Sequence, residues 1–378
     1  MRKGWEYKKL GEICSSDLGK TLNKSKDVGN MHPYLCAINI LWDSIDLTTL
    51  KEACFKDDEI DRYTVKYGDL LVCEGGDTGR AAIWDRKEPI LYQNALHRLR
   101  FKEDVDARFI MYNLWHKKQI GEIDHKYSKG VTILHLVKYA LLSIPILLPP
   151  LSTQLTIVSE LDKINELIRL KKEQLKDFDN LAQSIFYEMF GDPVENEMGW
   201  EVKRISNIAK YHNGVAHEKD VDKDGEFILV NAKFISSEGK IRKKTNIQHF
   251  PLFRNDVVMV LSDLPNGKSL AKCFLIDEDK KYSLNQRICC FRGFEGSAIF
   301  LKYVINRNPY LLLFDNGKSQ TNLRKGDVEK MPIPLPPLPL QHLFAHRIEQ
   351  IEHQKAEVQK SITDLETLLA SRMQYWFE

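Results

Sequence analysis

Two stretches decide how this chain is built: Gly4-Trp5-Glu6-Tyr7-Lys8-Lys9-Leu10-Gly11-Glu12-Ile13 and Gly199-Trp200-Glu201-Val202-Lys203-Arg204-Ile205-Ser206-Asn207-Ile208. They are two copies of one pattern. A second pair agrees with them. Pro145-Ile-Leu-Leu-Pro-Pro-Leu-Ser-Thr-Gln154 returns as Pro332-Ile-Pro-Leu-Pro-Pro-Leu-Pro-Leu-Gln341. Between the anchors the match is weaker. Gly68-Asp69-Leu70-Leu71-Val72 parallels Asn255-Asp256-Val257-Val258-Met259-Val260. Gln93-Asn94 followed by Leu99-Arg100-Phe101 loosely parallels Asn285-Gln286 followed by Cys290-Phe291-Arg292. The offset falls from 195 to 187 between anchors, so the second copy is shorter by eight residues inside its body. A period this long marks a duplicated body, in the order globule, helix, globule, helix.

The helices follow the prolines, which cannot sit inside a helix and force the preceding residue extended. After the first anchor, Ile157, Leu161, Ile164, Ile168, Lys171, Leu175, Phe178, Ala182, Ile185 and Met189 step by four and three. After the second, Phe344, Ile348, Ile351, Lys355, Val358, Ile362, Leu365, Leu369, Arg372 and Trp376 repeat the rhythm, again with a lysine inside the seam, one step earlier than Lys171. A 3.5-residue seam is a coiled-coil pattern, and a polar residue inside one often fixes register and partner. Gly191-Asp192-Pro193 stops the first helix. From Ile157 to Met189 such a helix spans about 50 Å. Each helix could lie on its own globule. A lysine inside each seam favours the alternative, two long antiparallel helices forming an intramolecular coiled coil. The expected class is therefore α+β: two similar mixed α/β domains, pseudo-two-fold symmetric, at 1–148 and 192–335, with helices at 149–191 and 336–378.

Those pieces differ in charge. Residues 1–148 carry 23 Lys and Arg against 21 Asp and Glu, and residues 192–335 carry 23 against 19. The helical pieces carry 5 against 7 and 4 against 6. Mildly basic globules on acidic rods suit globules that meet a polyanion. Overall, 55 basic and 53 acidic residues exclude a polybasic coat, and 43% hydrophobic residues are ordinary for a globular protein. No apolar run reaches the roughly 18 residues that span a bilayer. Met1-Arg2-Lys3-Gly4-Trp5-Glu6 has no signal-like apolar stretch, and seven cysteines without a C-x-x-C pair read as reduced thiols. No membrane partner and a cytoplasmic location are expected.

Within the globules, strands are predicted at Asp69–Cys73, Ala81–Trp84, Leu96–Phe101, Asp256–Leu261, Lys272–Ile276 and Ile288–Phe291. Helices are predicted at Ala107–Lys118 and Ser297–Asn306. Long polar loops fall at corresponding places, Glu74–Arg80 and Ser262–Ser269, with basic loops Lys126–Gly130 and Asn316–Lys325 before each proline anchor. Side chains that can reach phosphates and base edges are Thr78, Arg80, His97, Arg98, Lys126 and Lys129 in the first half. In the second they are Asn266, Lys268, Ser269, Gln286, Arg287, Lys318, Gln320, Arg324 and Lys325. A solvated loop without a ligand is the competing reading of each.

Enzyme motifs fail on inspection. Gly267-Lys268-Ser269 and Gly317-Lys318-Ser319 lack the first glycine of a phosphate loop, with Ser262 and Leu312 in its place. Asn308-Pro309-Tyr310 lacks one proline of an adenine-methyltransferase element, and Phe291–Gly296 lies too near it for the βαβ unit such an enzyme needs. Glu278-Asp279-Lys280 has a nuclease-like lysine without the preceding Pro-Asp. His217, His249, His342, His346 and His353 show no tight metal spacing; the last three mark a helix face.

Two globules, each opened by Gly-Trp-Glu and followed by a proline anchor and a long helix, resemble the specificity (S) subunit of type I restriction-modification enzymes. The likeness covers essentially the whole chain. Pro334–Gln341 fits Pro-Leu-Pro-Pro-Leu-x-x-Gln; Ile146–Gln154 lacks its first proline. Phe186-Tyr187-Glu188-Met189-Phe190-Gly191-Asp192-Pro193 is also similar to that family. The resemblance implies a non-catalytic subunit whose two target-recognition domains each read half of a bipartite, asymmetric double-stranded DNA site. The paired helices would act as a ruler and dock two methyltransferase (M) subunits. Translocase-nuclease (R) subunits would join through the assembled complex. S-adenosylmethionine, ATP and Mg²⁺ serve those partners, so no cofactor is expected here. A reading from another class is a coiled-coil adaptor whose globules bind protein. A third, a self-sufficient methyltransferase-nuclease fusion, has no motif behind it.

Overall fold

The anchors at the ends of each copy fold onto one another. In the first copy Glu6–Lys9 pairs antiparallel with Pro145–Leu148, Glu6 opposite Leu148 and Lys9 opposite Pro145. In the second, Glu201–Arg204 pairs with Pro332–Leu335, Glu201 opposite Leu335 and Arg204 opposite Pro332. The register is identical. A two-stranded ribbon is where a sheet tolerates Pro332 and Pro334, since a missing N–H can face outward. The computed structural model describes residues 4–23, 27–130, 134–264, 267–315, 317 and 320–378. They form two compact units, residues up to 172 with 360–378, and residues 173–359. Each unit takes one globule and a stretch of both long helices.

In the first unit, one sheet orders Cys14–Leu18, Leu96–Phe101, Leu70–Cys73 and Ala81–Ile83, all antiparallel. Another orders Lys51–Phe55, Asn30–Leu35, Ile90–Tyr92 and Thr64–Val65, with Ile90–Tyr92 parallel to Asn30–Leu35. The second unit repeats the plan. Lys210–Asn213, Ile288–Arg292, Val257–Val260 and Cys273–Leu275 form the antiparallel sheet. Lys243–Thr245, Phe227–Val230 and Tyr282–Leu284 form the other, again with one parallel pair. The predicted strands are present within one or two residues at each end. The repeat register needs one correction. Leu99 lies opposite Leu70 and Phe291 opposite Val257, so Arg100 corresponds to Arg292 rather than to Phe291. A one-residue slip would turn every side chain to the other face.

Three devices recur. Asp69, almost fully buried, takes a two-pronged bond from Arg100, Nε at 2.6 Å and Nη2 at 2.9 Å. Asp256 takes the same from Arg292 at 2.9 and 2.6 Å. Gly19 and Gly214 pass so near a neighbouring strand that a Cβ would lie 2.4 Å from the Gln93 carbonyl carbon or 2.1 Å from the Asn285 oxygen. The third device explains the glutamine closing each proline anchor. Gln154 and Gln341 are buried. Gln154 accepts the Asp106 N–H at 2.8 Å and donates to the Pro149 carbonyl at 2.9 Å. Gln341 accepts the Ser297 N–H at 3.1 Å and donates to the Pro336 carbonyl at 2.8 Å. Asp106 and Ser297 are the N-caps of helices Ala107–Gln119 and Ala298–Ile305, accepting from Phe109 and Phe300.

The long helices are Leu151–Phe190 and Leu338–Phe377. Gly191, at φ 74°, donates its N–H to the Tyr187 carbonyl and ends the first. Every seam position named from sequence is buried or half-buried. The helices pair antiparallel within each unit. In the first, Glu160 holds Arg372 and Trp376, and Lys172 reaches Glu366 at 2.7 Å. In the second, Lys355 reaches Asp179 at 2.7 Å, while Phe186 and Phe190 pack on Phe344 at 5.6 and 5.2 Å. The seam lysine Lys355 thus stays charged by reaching an acid on the partner helix. Phe377 closes on Phe109, ring centroids 5.4 Å apart, beside a 3.2 Å contact between His116 and Glu378.

Candidate nucleic-acid interface

Each unit joins three loops by main-chain bonds, in the same way. In the first unit Glu74 N–H bonds the Ala95 carbonyl at 2.9 Å, Leu136 N–H bonds the Glu74 carbonyl at 2.7 Å, and Gly75 bridges His135. In the second, Leu261 N–H bonds the Arg287 carbonyl at 2.9 Å, and Leu323 N–H bonds the Leu261 carbonyl at 2.8 Å. Ser262 and Asp263 there pair with Asn322 and Thr321. The strand Ile288–Arg292 begins beside this junction and ends beside the proline anchor, where Gly293–Gly296 and Pro336–Leu338 line one cleft. The junction is therefore at the far end of the globule from the start of its long helix. Bonds between backbones leave loop side chains free to vary.

The residues expected to touch DNA divide. Lys268, Gln286, Arg287, Gln320 and Arg324 are exposed around the second junction. The turn that carries Gln286 and Arg287 is braced by the Asn285 side chain, which accepts the Arg287 N–H at 3.2 Å. Ser269 is half-buried, its hydroxyl 2.7 Å from Ser236. Asn266 and Lys318 lie outside the described residues. Lys325 sits over the Tyr211 ring at 5.5 Å and near Glu329, toward the other end of the sheet. In the first unit Lys129 is exposed beside the junction, its backbone paired with His135, and Lys126 is exposed over Tyr127. Arg80 is half-buried, donating to the Ala37 carbonyl at 2.9 Å and lying 3.6 Å from Asp77.

Thr78, His97 and Arg98 correct the expectation. Thr78 is buried and donates to Asp124 at 2.8 Å. His97 is buried against the Leu136 carbonyl at 2.8 Å, and burial lowers its pKa, favouring the neutral ring. Arg98 binds Asp17 at 2.7 Å and the Thr64 carbonyl at 2.5 Å. In the second unit the matching positions hold Leu270, Cys289 and Cys290, all buried. These sites belong to the interior, and the polar residues there serve the fold.

One basic group lies outside the expected set. Lys240-Ile-Arg-Lys-Lys244 puts four cations in five residues, visible in the sequence. All four are exposed, on a turn and the edge strand Lys243–Thr245. The Ser236–Ser269 contact ties the preceding helix, Ala232–Ser236, to the junction loop. The corresponding strand of the first unit, Lys51–Phe55, has a single lysine. Among the described residues no His, Cys, Asp and Glu cluster is arranged to hold a metal ion. No helix there is long and apolar enough to cross a membrane.

Comparison with known proteins gives a consistent result. The family model described as the type I restriction modification DNA specificity domain matches twice, over residues 2–177 and 197–367. A putative type I restriction enzyme MjaX specificity subunit of Methanocaldococcus jannaschii is 23% identical, over 92% of this chain and 87% of that one. The crystal structure of a type I restriction-modification S subunit from M. genitalium aligns over 99% of this chain and 96% of its own, with TM-score 0.52 and 13% identity. A chain from a study of assembly and conformational transition of the type I R-M system covers 100% of this chain and 98% of its own, with TM-score 0.59 and 17% identity. Both structures share the fold.

Proposed function

Given that the chain belongs to the type I restriction modification DNA specificity family, and so is a non-catalytic specificity subunit, we propose that each three-loop junction reads one half of a bipartite DNA site. The observation behind this is the duplicated junction, with its exposed Gln286, Arg287, Lys268 and Arg324 in one copy and Lys129 in the other. Phosphate contacts from Lys240–Lys244 and Arg324 set position, and the turn side chains reach base edges, Arg287 suiting guanine and Gln286 adenine. In the same reading the paired helices, each of 40 residues and so about 60 Å long, set the gap between the two half-sites. They also offer the surface on which two M subunits dock, with R subunits joining the assembled complex.

The test is Arg287→Ala in a complex reconstituted with M subunits. Binding to the cognate duplex should weaken about 5- to 100-fold, with discrimination relaxed at one position of one half-site. Weakening spread evenly over all sequences would make Arg287 a phosphate contact. Duplex binding that does not change with salt would favour the protein-binding adaptor, because phosphate contacts weaken steeply as salt rises.

A further inference from the structure

The duplication supplies an internal control for every cleft. In the first unit, one place between globule and long helix is filled by rings. Trp42 stacks on Trp115 with centroids 5.3 Å apart, and Trp115 on Tyr112 at 6.0 Å, both pairs within 7° of parallel. Beside them the Asp43 carboxylate is held by Arg108 at 2.8 Å and Asn165 at 2.6 Å. The N-cap register, Asp106 with Ser297, carries Tyr112 onto Tyr303, Trp115 onto Asn306 and Arg108 onto Ile299. Trp42-Asp43 corresponds to Ser237-Glu238; Asp43 and Glu238 share a left-handed backbone, φ 58° and 52°. The glutamine register places Glu352 where Asn165 stands.

The second unit thus keeps the tyrosine and lacks both indoles. A cavity of about 390 Å³ opens there, bounded by Tyr303, Asn306 and Glu238. Its cations differ from those of the first unit. Lys302 replaces Met111, and Lys272 replaces the tied-down Arg80. Lys355 is engaged by Asp179 at 2.7 Å and Glu352 at 3.1 Å. Among the described residues Lys272 and Lys302 form no ion pair, Lys302 lying over the Tyr303 ring 5.6 Å from its centroid, and Glu238 has no cation where Asp43 has Arg108. Asn306 spends its oxygen on the Cys273 N–H at 2.9 Å, which leaves its amide hydrogens to donate.

We propose that this cavity is a binding site for a purine nucleoside monophosphate. The parallel rings of the first unit define the shape that fits, a planar heterocycle set against the tyrosine. The two lysines outside ion pairs suit a phosphate dianion, whose hydrogen bonds to cations are the strong kind, and a planar base on Tyr303 would take the place Lys302 now holds over that ring. The Asn306 amide donates to a ring nitrogen, and Glu238 accepts from an exocyclic amine or a ribose hydroxyl. The site is independent of the DNA-reading junction, and its failure would leave that reading intact.

The experiment is calorimetric titration of the full chain with AMP, with ribose 5-phosphate as control. Two variants copy the first unit: Asn306→Trp fills the cavity and Lys302→Met removes a cation. AMP should bind with a submillimolar Kd and ribose 5-phosphate at least tenfold more weakly. Lys302→Met should weaken AMP about tenfold. Asn306→Trp should abolish binding while the chain keeps its native far-ultraviolet circular dichroism. No AMP binding at millimolar concentration would overturn the proposal, as would equal affinity for ribose 5-phosphate. Retained affinity in Lys302→Met, a small change that tests the site even if Asn306→Trp fails to fold, would overturn it too.

Discussion

Arg100 on Asp69 and Arg292 on Asp256 are the same bridge built twice, whereas the turns nearby present Ala95 in one unit and Arg287 in the other. Inside, the copies agree down to individual main-chain bonds: Gly19 with Gly214, Gln154 with Gln341, Glu74–Ala95 with Leu261–Arg287. At the tips they share almost no side chain. The second junction carries Lys268, Arg287 and Arg324, with the exposed Lys240–Lys244 run following the helix tied to it; the first offers Asn94, Lys129 and His135. Main-chain bonding makes this possible. A scaffold fastened through carbonyls and amides constrains shape while leaving the exposed chemistry open.

If the interiors are equivalent, matched substitutions should cost matched amounts. The largest effect is expected from Gly19→Ala and Gly214→Ala. The added Cβ meets backbone that cannot rotate away, so each should lose about 3 kcal/mol or more. Thermal unfolding followed separately for the two units checks this, and a cost in only one would break the equivalence. Next, Asp69→Asn and Asp256→Asn should each cost about 2 kcal/mol, because the arginines keep partial access to water while the buried partner loses its charge. The smallest effect is at a position where the second unit carries Cys289 in place of a histidine. His97 is neutral in the folded state because burial lowers its pKa, so the unfolded chain binds the extra proton. Its stability is complete above the unfolded pKa near 6.5 and declines as pH falls below it. His97→Cys, copying Cys289, should flatten that part of the first unit's stability-against-pH curve. An unchanged slope would place the titration elsewhere.

The sequence made the helices legible because their signals are local. Prolines halt the chain, and a seam at 3.5-residue spacing needs no knowledge of what lies across it; even Lys355 and Arg372 fall where the rhythm places them. The burial of Thr78, His97 and Arg98 was not legible. Their partners Asp124, Leu136, Asp17 and Thr64 stand 34 to 81 residues away, and a polar side chain in a loop looks the same whether it serves water, DNA or a distant carbonyl. Leu96–Phe101 is also paired along both edges, and Leu96 to Leu99 are buried in succession, so both faces are covered there. The Lys240–Lys244 run was legible as charge, but its link to the junction passes through one serine pair that no spacing reveals.

Gln154 and Gln341 bear on how such a molecule changes over generations. Each fastens its globule to its rod by gripping a peptide N–H at the mouth of a helix, and a peptide N–H is present whatever side chain follows, proline excepted. The socket is therefore blind to the identity of the plug. A foreign globule spliced between the ribbon strands would seat at the same angle provided it begins its helix in the same place, so new specificities could be acquired by exchange without retuning the joint.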